Sequence, residues 1–537
     1  MTGEAEMNQT FSWSLPTTFN FGRDVVDAIA ASEPDKLALI WCDETGGEQR
    51  FTFGEISRRS SQLAALLARE GVRRGDRVLV MLPRLPHWQI AMVGCLKLGA
   101  APIPCIDMLT EKDIAYRSMK ADAVAAITTA ANVSKFSSSP RVRVAVGEAS
   151  GWLDFDRSAA AQRESFSCAD TGLEDPAVIY FTSGSTGLPK GVTHASRALY
   201  CWRYSAHYWL DLKPDDLMWC TADTGWSKAG TSILFGPWSQ GSAVLFYDGR
   251  FDPHERLRLI ARHGVTVFCG AATEFRRLIN EDLAEFDLSR LRLAVSAGET
   301  VNPEVTRRWR ELTGIPLLEA YGQTETLMTV ANRAGRPCKD GSMGRSLPGC
   351  RMAVLDSQGR PAPAGECGQL ALELPNPQLM LGYWEEPERT AQAMASSEGI
   401  DYFLTGDLAC MDADGFIFYE GRVDDIISSA GYRIGPTEVE NALQEHPAVT
   451  ECAVVGSPDS ERGEIVKAFV VLRQGVAPSD ELITTLQEHV KRTTAPYKYP
   501  RAIEFRTDLP KTPTGKLLRR VLRDAEFQQS RCAEHPL

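Results

Sequence analysis

Hydrophobic and polar positions alternate along this chain between two rhythms. Asp24–Ala31 and Phe53–Glu70 place apolar residues every three or four positions, the period of an amphipathic helix, and His87–Leu98 reads as a further helix. Between them lie short unbroken apolar runs led by turn residues. Gly75-Asp76 precedes Arg77–Leu82, and further runs follow at Ala123–Thr128, Ala177–Phe181, Ala243–Phe246, Val265–Phe268 and Leu291–Ser296. Runs without polar alternation predict strands buried on both faces, and strands alternating with helices predict mostly parallel sheets covered by helices. The expected fold is therefore α/β.

The pattern changes over 350–420, where short strands are punctuated by Asp356-Ser-Gln-Gly359 and Asp412-Ala-Asp-Gly415. This predicts a smaller antiparallel β unit. A final portion has its own strands (Glu451–Val455, Val466–Leu472, Ile503–Phe505) and a helix over Asp480–Lys491, an α+β pattern. The expected division is a polar, poorly ordered lead-in over 1–18, a large portion over 19–421, a junction at 422–425 and a small portion over 426–537.

Length and charge narrow the function. At 537 residues the chain exceeds one ordinary core, and a net charge of −12 argues against nucleic acid as the main partner. Its 13 cysteines stand singly, without C-x-x-C, and are read as reduced thiols. The first residues lack the basic and apolar regions of a signal peptide, and no apolar run is long enough for a membrane span, so a cytoplasmic location is expected. The histidine spacing gives no sign of a structural zinc site.

The candidate chemistry begins at Thr182-Ser183-Gly184-Ser185-Thr186-Gly187-Leu188-Pro189-Lys190. Glycines let backbone N–H groups approach an anion, and hydroxyls and an ammonium add donors, so this composition suits phosphate. Lys190 stands between Pro189 and Gly191, which excludes a Walker A loop. Ser296-Ala-Gly298-Glu299-Thr300, Glu319-Ala320-Tyr321-Gly322-Gln323-Thr324-Glu325, Tyr402-Phe-Leu-Thr-Gly-Asp407, Gly421-Arg422 and Leu509-Pro-Lys-Thr-Pro-Thr-Gly-Lys516 follow in order.

Together these segments resemble the adenylate-forming enzymes, the superfamily of acyl-CoA synthetases, adenylation domains and firefly-type luciferases. The resemblance covers about residues 20 to 525. It is closest to medium-chain acyl-CoA synthetases through Phe19–Asp24, Leu82–Trp88, Asp223–Lys228, Ser457–Asp459, Arg462–Phe469 and Ala495–Arg501. It implies an ATP- and Mg2+-dependent acid–CoA ligase. The acid is first joined to AMP with loss of pyrophosphate. A small mobile C-terminal domain then turns, and the CoA thiol displaces AMP.

By the same resemblance the 182–190 loop handles the departing phosphates, and Gly298, Glu299, Thr300, Glu319, Ala320, Tyr321, Gly322 and Gln323 surround the nucleotide. Thr324 contacts phosphate, Glu325 is the magnesium carboxylate, and Asp407 and Arg422 hold the ribose. Lys516 stabilises charge developing at the α-phosphate, within a tail that carries ten Lys/Arg against two acids between Lys491 and Arg523. Asp424 is the hinge, and Gly431, Arg433, Arg462, Lys491 and Tyr499 are expected to meet CoA.

Trp226, Gly270 and Gly322 are expected to line the acid pocket. Glycine at 322, where acetate-specific relatives carry tryptophan, predicts a medium, branched or aromatic acid. Departures cluster at the pocket walls, at Gly270–Thr273 and just past Lys228, and Ala430 replaces a common hydroxyl. An adenylating enzyme that loads a carrier protein shares the first step and stays open. A degenerate nucleotide-binding regulator is disfavoured by the retained Lys190, Glu325, Asp407, Arg422 and Lys516. Homo-oligomerisation is also left open.

Overall fold

The computed structural model describes residues 11–136, 140–182, 188–429, 432–459, 462–511 and 517–534. Its largest sheet has nine strands. Leu37–Asp43, Ala243–Asp248, Leu217–Cys220, Val267–Cys269, Leu293–Ala297 and Leu317–Gln323 lie side by side in that order and are parallel. Antiparallel strands close both margins: Glu48–Thr52 on one side, Leu327–Ala331 and Arg345–Ser346 on the other. A second sheet of five parallel strands contains Arg77–Met81 and Ala123–Thr129 at its centre. The central strands are buried on both faces, which explains their unbroken apolar runs.

The expected helices form with small shifts. Phe53–Arg69 starts at a capping box in which Thr52 and Glu55 satisfy each other's backbone N–H groups. Pro86–Leu98 is buried almost throughout and stops at Gly99, in left-handed conformation. The first expected helix opens as a π-helix over Gly22–Asp27 before becoming α-helical over Ala28–Ser32.

Three expectations change. Pro176–Thr182 joins no parallel sheet but pairs antiparallel with Lys190–Ala195, and Gly382–Tyr383 adds a third strand. A doubly buried strand has no alternation from which its partner's direction could be read. Residues 11–18 are also fastened rather than poorly ordered: Phe11 and Trp13 pack edge-on against Tyr204, and Trp13 Nε1 donates to Gly349 O at 3.0 Å. Nor are all the cysteines free thiols. Cys367 and Cys410, 43 residues apart, form a disulfide because antiparallel pairing sets them face to face.

The antiparallel unit predicted over 350–420 is a five-stranded sheet of Met352–Leu355, Cys367–Glu373, Ile400–Met411, Met394–Ser397 and Ile417–Arg422. A short 3-10 turn, Val423–Asp425, follows it. Beyond lies a sheet of Tyr432–Ile434, Ile427–Ser429, Gly463–Leu472 and Val449–Asp459, with Ala502–Arg506 alongside. The apolar interior divides at this turn. One cluster runs from Phe19 to Ile417, and a separate one is built from Ile427 to Val490.

Candidate active site

The carboxyl ends of parallel strands are the ordinary ligand edge of an open α/β sheet. Here the Leu217–Cys220 strand leads to Trp226, Val267–Cys269 to Gly270, Leu293–Ala297 to Gly298–Thr300, and Leu317–Gln323 to Thr324 and Glu325. The motifs far apart in sequence therefore emerge along one margin.

Lys190 is fixed by the hairpin that frames the loop, since Thr182 and Lys190 are paired across it. Its Nζ donates to Glu325 Oε1 at 2.7 Å and to the Tyr383 hydroxyl at 2.7 Å, and that hydroxyl donates to Glu325 Oε1 at 2.9 Å. Glu325 sits in the sharp connection between Leu317–Gln323 and Leu327–Ala331, where Leu327 holds φ +58. Non-glycine residues in this region are held there by their surroundings. Burial opposes ionisation of Glu325, but the Lys190 ammonium outweighs it and keeps the carboxyl below its ordinary range.

Thr324 is held from two sides. Its carbonyl accepts from His194 Nε2 at 2.6 Å, and its Oγ1 lies 3.2 Å from Ser227 Oγ. Burial lowers His194 to about 4, so near neutral pH the ring is uncharged. The contact to a carbonyl places its proton on Nε2.

A second cluster forms around buried Asp407. Oδ2 accepts from the Tyr321 hydroxyl at 2.5 Å and from Gln323 Nε2 at 2.6 Å, while Oδ1 accepts from Arg422 Nη1 at 3.0 Å. Burial and the Asp407 charge both raise the Tyr321 hydroxyl. Burial works against the Arg422 charge, yet Asp407 raises it further. Gln323 and Glu325 leave the same strand end, so one short segment joins the two clusters.

Gly298 has φ +96, and a Cβ there would meet nothing within 4 Å. Glu299 accepts from Thr273 N at 3.0 Å. Glu319 accepts from Val301 N at 2.6 Å, and burial pushes its carboxyl up to about 7. Ala320 is buried in the same strand. Thr300 stands half-buried just past the glycine. The buried hydroxyls of Thr182 and Ser296 have no partner among the described residues.

At the expected acid pocket, Trp226 carries a buried, unpartnered indole N–H among the described residues. A Cβ on Gly270 would touch the rings of Phe268 and Phe275, each at 3.1 Å. Gly322 is different. A Cβ there would fall 2.0 Å from Leu327 O, so with this backbone any side chain at 322 forces a shift of the neighbouring strand.

Among the expected CoA residues, Lys491 Nζ lies 4.2 Å from the Tyr499 ring centre, a cation–π contact. Arg462 occupies the turn after Asp459, its N–H bonded to that carboxylate at 2.9 Å. Asp424 and Arg433 are placed by backbone alone, in the 3-10 turn and in the Tyr432–Ile434 strand. Ser183, Gly184, Ser185, Thr186, Gly187, Gly431 and Lys516 lie outside the described residues. Sequence reasoning missed Tyr383 and His194. His194 carried a weak signal, four residues past Lys190 on its strand; Tyr383 carried none.

Known proteins resemble this chain in sequence and fold. The AMP-binding enzyme family matches residues 26–384, and the AMP-binding enzyme C-terminal domain matches residues 438–516. The human mitochondrial acyl-coenzyme A synthetase ACSM3 is 40% identical over 97% of this chain and 92% of its own. The Rattus norvegicus mitochondrial acyl-coenzyme A synthetase ACSM4 is 40% identical over 96% and 91%. Among solved structures, the anthranilate CoA ligase AuaEII in complex with anthranoyl-AMP superposes with a TM-score of 0.88 at 30% identity, covering 96% of this chain and 99% of that one. A benzoate CoA ligase from Burkholderia xenovorans LB400 gives 0.83 at 29% identity over 94% and 100%. This chain belongs to the AMP-binding enzyme family and, within it, groups with the acyl-coenzyme A synthetases.

Proposed function

We propose that this protein is an AMP-forming acid–CoA ligase acting on a medium-chain, branched or aromatic carboxylic acid. The acid displaces pyrophosphate from ATP to give acyl-AMP, and the CoA thiol then displaces AMP. The carrying observation is the pair of clusters on one strand end: Lys190–Tyr383–Glu325 suits a polyphosphate, and Tyr321–Gln323–Asp407–Arg422 suits a ribose.

The residues fit the nucleotide. Thr182 and Ser296 offer buried hydroxyls without partners among the described residues, and Gly298 leaves open space where a flat base can lie. Asp407 can accept from ribose hydroxyls while Arg422 donates to them. Lys190 turns from Glu325 to phosphate oxygens, and Tyr383 remains to orient the carboxylate. Glu325, buried and ionised, also fits Mg2+, which needs only one or two carboxylates beside phosphates. When bound, the ion neutralises phosphate charge. Lys516 is assigned to the α-phosphate, where charge accumulates during attack.

The turn at 422–425, between two separate apolar cores, is proposed as the hinge that lets the C-terminal portion exchange Lys516 for the CoA residues. The anthranilate and benzoate CoA ligases among the structural relatives support an acid of this size. A carrier protein in place of CoA is the competing acceptor; Lys491, over the Tyr499 ring and paired with Glu488 at 2.6 Å, is the cation offered to a CoA phosphate.

ATP–pyrophosphate exchange against a panel of acids, followed by CoA-dependent AMP release, tests the reading. Exchange with medium-chain or aromatic acids is expected. Exchange with none would sink it, and AMP release only with carrier proteins would move the acceptor.

A further inference from the structure

Cys367 begins the Cys367–Glu373 strand and is exposed; Cys410 lies near the end of Ile400–Met411 and is half-buried. Their Cα atoms are 4.1 Å apart and their sulfurs are joined. Only three residue pairs precede an interruption in this ladder: Cys367 with Cys410, Gly368 with Ala409, and Gln369 with Leu408. The register then jumps to Ala371 with Leu404, so Thr405, Gly406 and Asp407 bulge out opposite Leu370 alone. Gly406 takes φ +71 within the bulge, and Thr405 Oγ1 donates to Leu370 O at 2.6 Å and accepts from Asp407 N at 3.1 Å. The bulge carries Asp407 to Tyr321, Gln323 and Arg422. Bulges re-aim side chains, and a three-pair ladder end opens readily unless it is tied. Here the covalent tie is the disulfide; Gly365 N donates to Met411 O at 2.7 Å just beyond it, and Ile417–Arg422 pairs with Asp407–Met411 on the other side.

We propose that Cys367–Cys410 is a reversible thiol–disulfide site that positions Asp407, so that oxidation strengthens and reduction weakens nucleotide binding. The inference rests on the assignment of Asp407 to the ribose. A small-molecule thiolate attacks the exposed Cys367 sulfur, the S–S bond breaks, and Cys410 leaves as a thiolate and takes up a proton. A second thiol resolves the mixed disulfide on Cys367. The net change is one protein disulfide and two thiols converted to two cysteine thiols and one small disulfide. In the bonded form the Cys410 sulfur lies 3.6 Å from Glu420 Oε1, which is placed to accept its S–H after reduction. Both cysteines act only through Asp407 and are positioning residues.

Differential alkylation with mass spectrometry on the full-length protein, before and after dithiothreitol, locates the bond. Calorimetric titration with ATP, without any acid, reads its effect, and ATP KM in pyrophosphate exchange gives a second readout. The reduced protein is expected to bind ATP about three- to tenfold more weakly, with kcat at saturating ATP unchanged and affinity restored by reoxidation. Cys367→Ser and Cys410→Ser should each match the reduced protein and ignore dithiothreitol. Equal ATP affinity in both states, no bond in the oxidised protein, or a dithiothreitol response that persists in Cys367→Ser would each overturn the inference. A protein that binds ATP in a redox-dependent way but exchanges with no acid would instead refute the ligase reading and leave this site standing.

Discussion

The Lys190 ammonium donates to the Glu325 carboxylate at 2.7 Å, joining residues 135 positions apart, with the Tyr383 hydroxyl bonded to both. Two groups assigned to the same triphosphate and its metal thus neutralise each other before either is needed. Breaking one side of a buried pair strands the other charge, at a cost of about 3–5 kcal/mol. Lys190→Ala should therefore lower both stability and pyrophosphate exchange. Tyr383→Phe loses only the shared hydroxyl, so about a fivefold rise in ATP KM is expected, equal to one ordinary hydrogen bond. A larger effect from Tyr383→Phe than from Lys190→Ala would rule out this ordering.

Asp407 receives three donors, and two of them, Tyr321 and Gln323, come from the other side of the site. Asp407→Ala should raise ATP KM about 10- to 100-fold, the size expected for hydrogen bonds to a charged group. CoA KM should not move. A parallel rise in both would mean general collapse rather than loss of a ribose contact.

Lys516 is assigned to the first half-reaction alone. Lys516→Ala should slow acyl-AMP formation by about 10²–10³-fold, as for loss of one preorganised charge partner. Thioester formation from supplied acyl-AMP should persist. Equal loss in both half-reactions would refute the assignment.

Much of this site was legible because its chemistry travels in short motifs. Lys190, Glu325, Asp407 and Arg422 each sit inside a contiguous signature, and the structure gathers all four. Tyr383 and His194 had no such context; each is a single residue whose side chain meets partners from elsewhere in the chain. The direction of the Pro176–Thr182 strand was hidden because both its faces are buried. The Cys367–Cys410 pairing depends on a register set across 43 residues, which no local spacing encodes. Gly322 shows the opposite hazard: a motif position suggested pocket space, and the fold spends it on a backbone approach.

That approach makes a sharp prediction. A Cβ at 322 would sit 2.0 Å from Leu327 O and 2.8 Å from the Met328 Cα. Gly322→Ala should destabilise the protein by about 1–3 kcal/mol, the usual cost of forcing atoms into a filled site. Thermal unfolding would register this, while acid chain-length preference should stay as in wild type. A changed preference with unchanged unfolding would restore Gly322 to the pocket wall.

His194 and Glu319 give stability opposite dependences on pH. Burial lowers His194 from 6.5 to about 4, so below pH 6.5 the unfolded chain binds a proton that the folded one refuses. Its contribution is lost as pH falls from 6.5 to about 4, up to about 3 kcal/mol. Burial raises Glu319 from 4.5 to about 7, so across that window the folded chain keeps a proton that the unfolded one has released. Its contribution is present below pH 4.5 and lost as pH rises to about 7, with a similar ceiling of about 3 kcal/mol. The two slopes oppose each other in wild type, and single variants should separate them. Burial also raises Glu420 to about 7, and its slope stays in both variants. Relative to wild type, His194→Gln should therefore make stability fall more steeply as pH rises from 5 to 7, and Glu319→Gln, which keeps an acceptor for Val301 N, should shift the slope upward. Urea unfolding at fixed pH values between 5 and 7 reads both slopes, and variants whose slopes equal the wild type's would show that these two buried groups do not contribute to it.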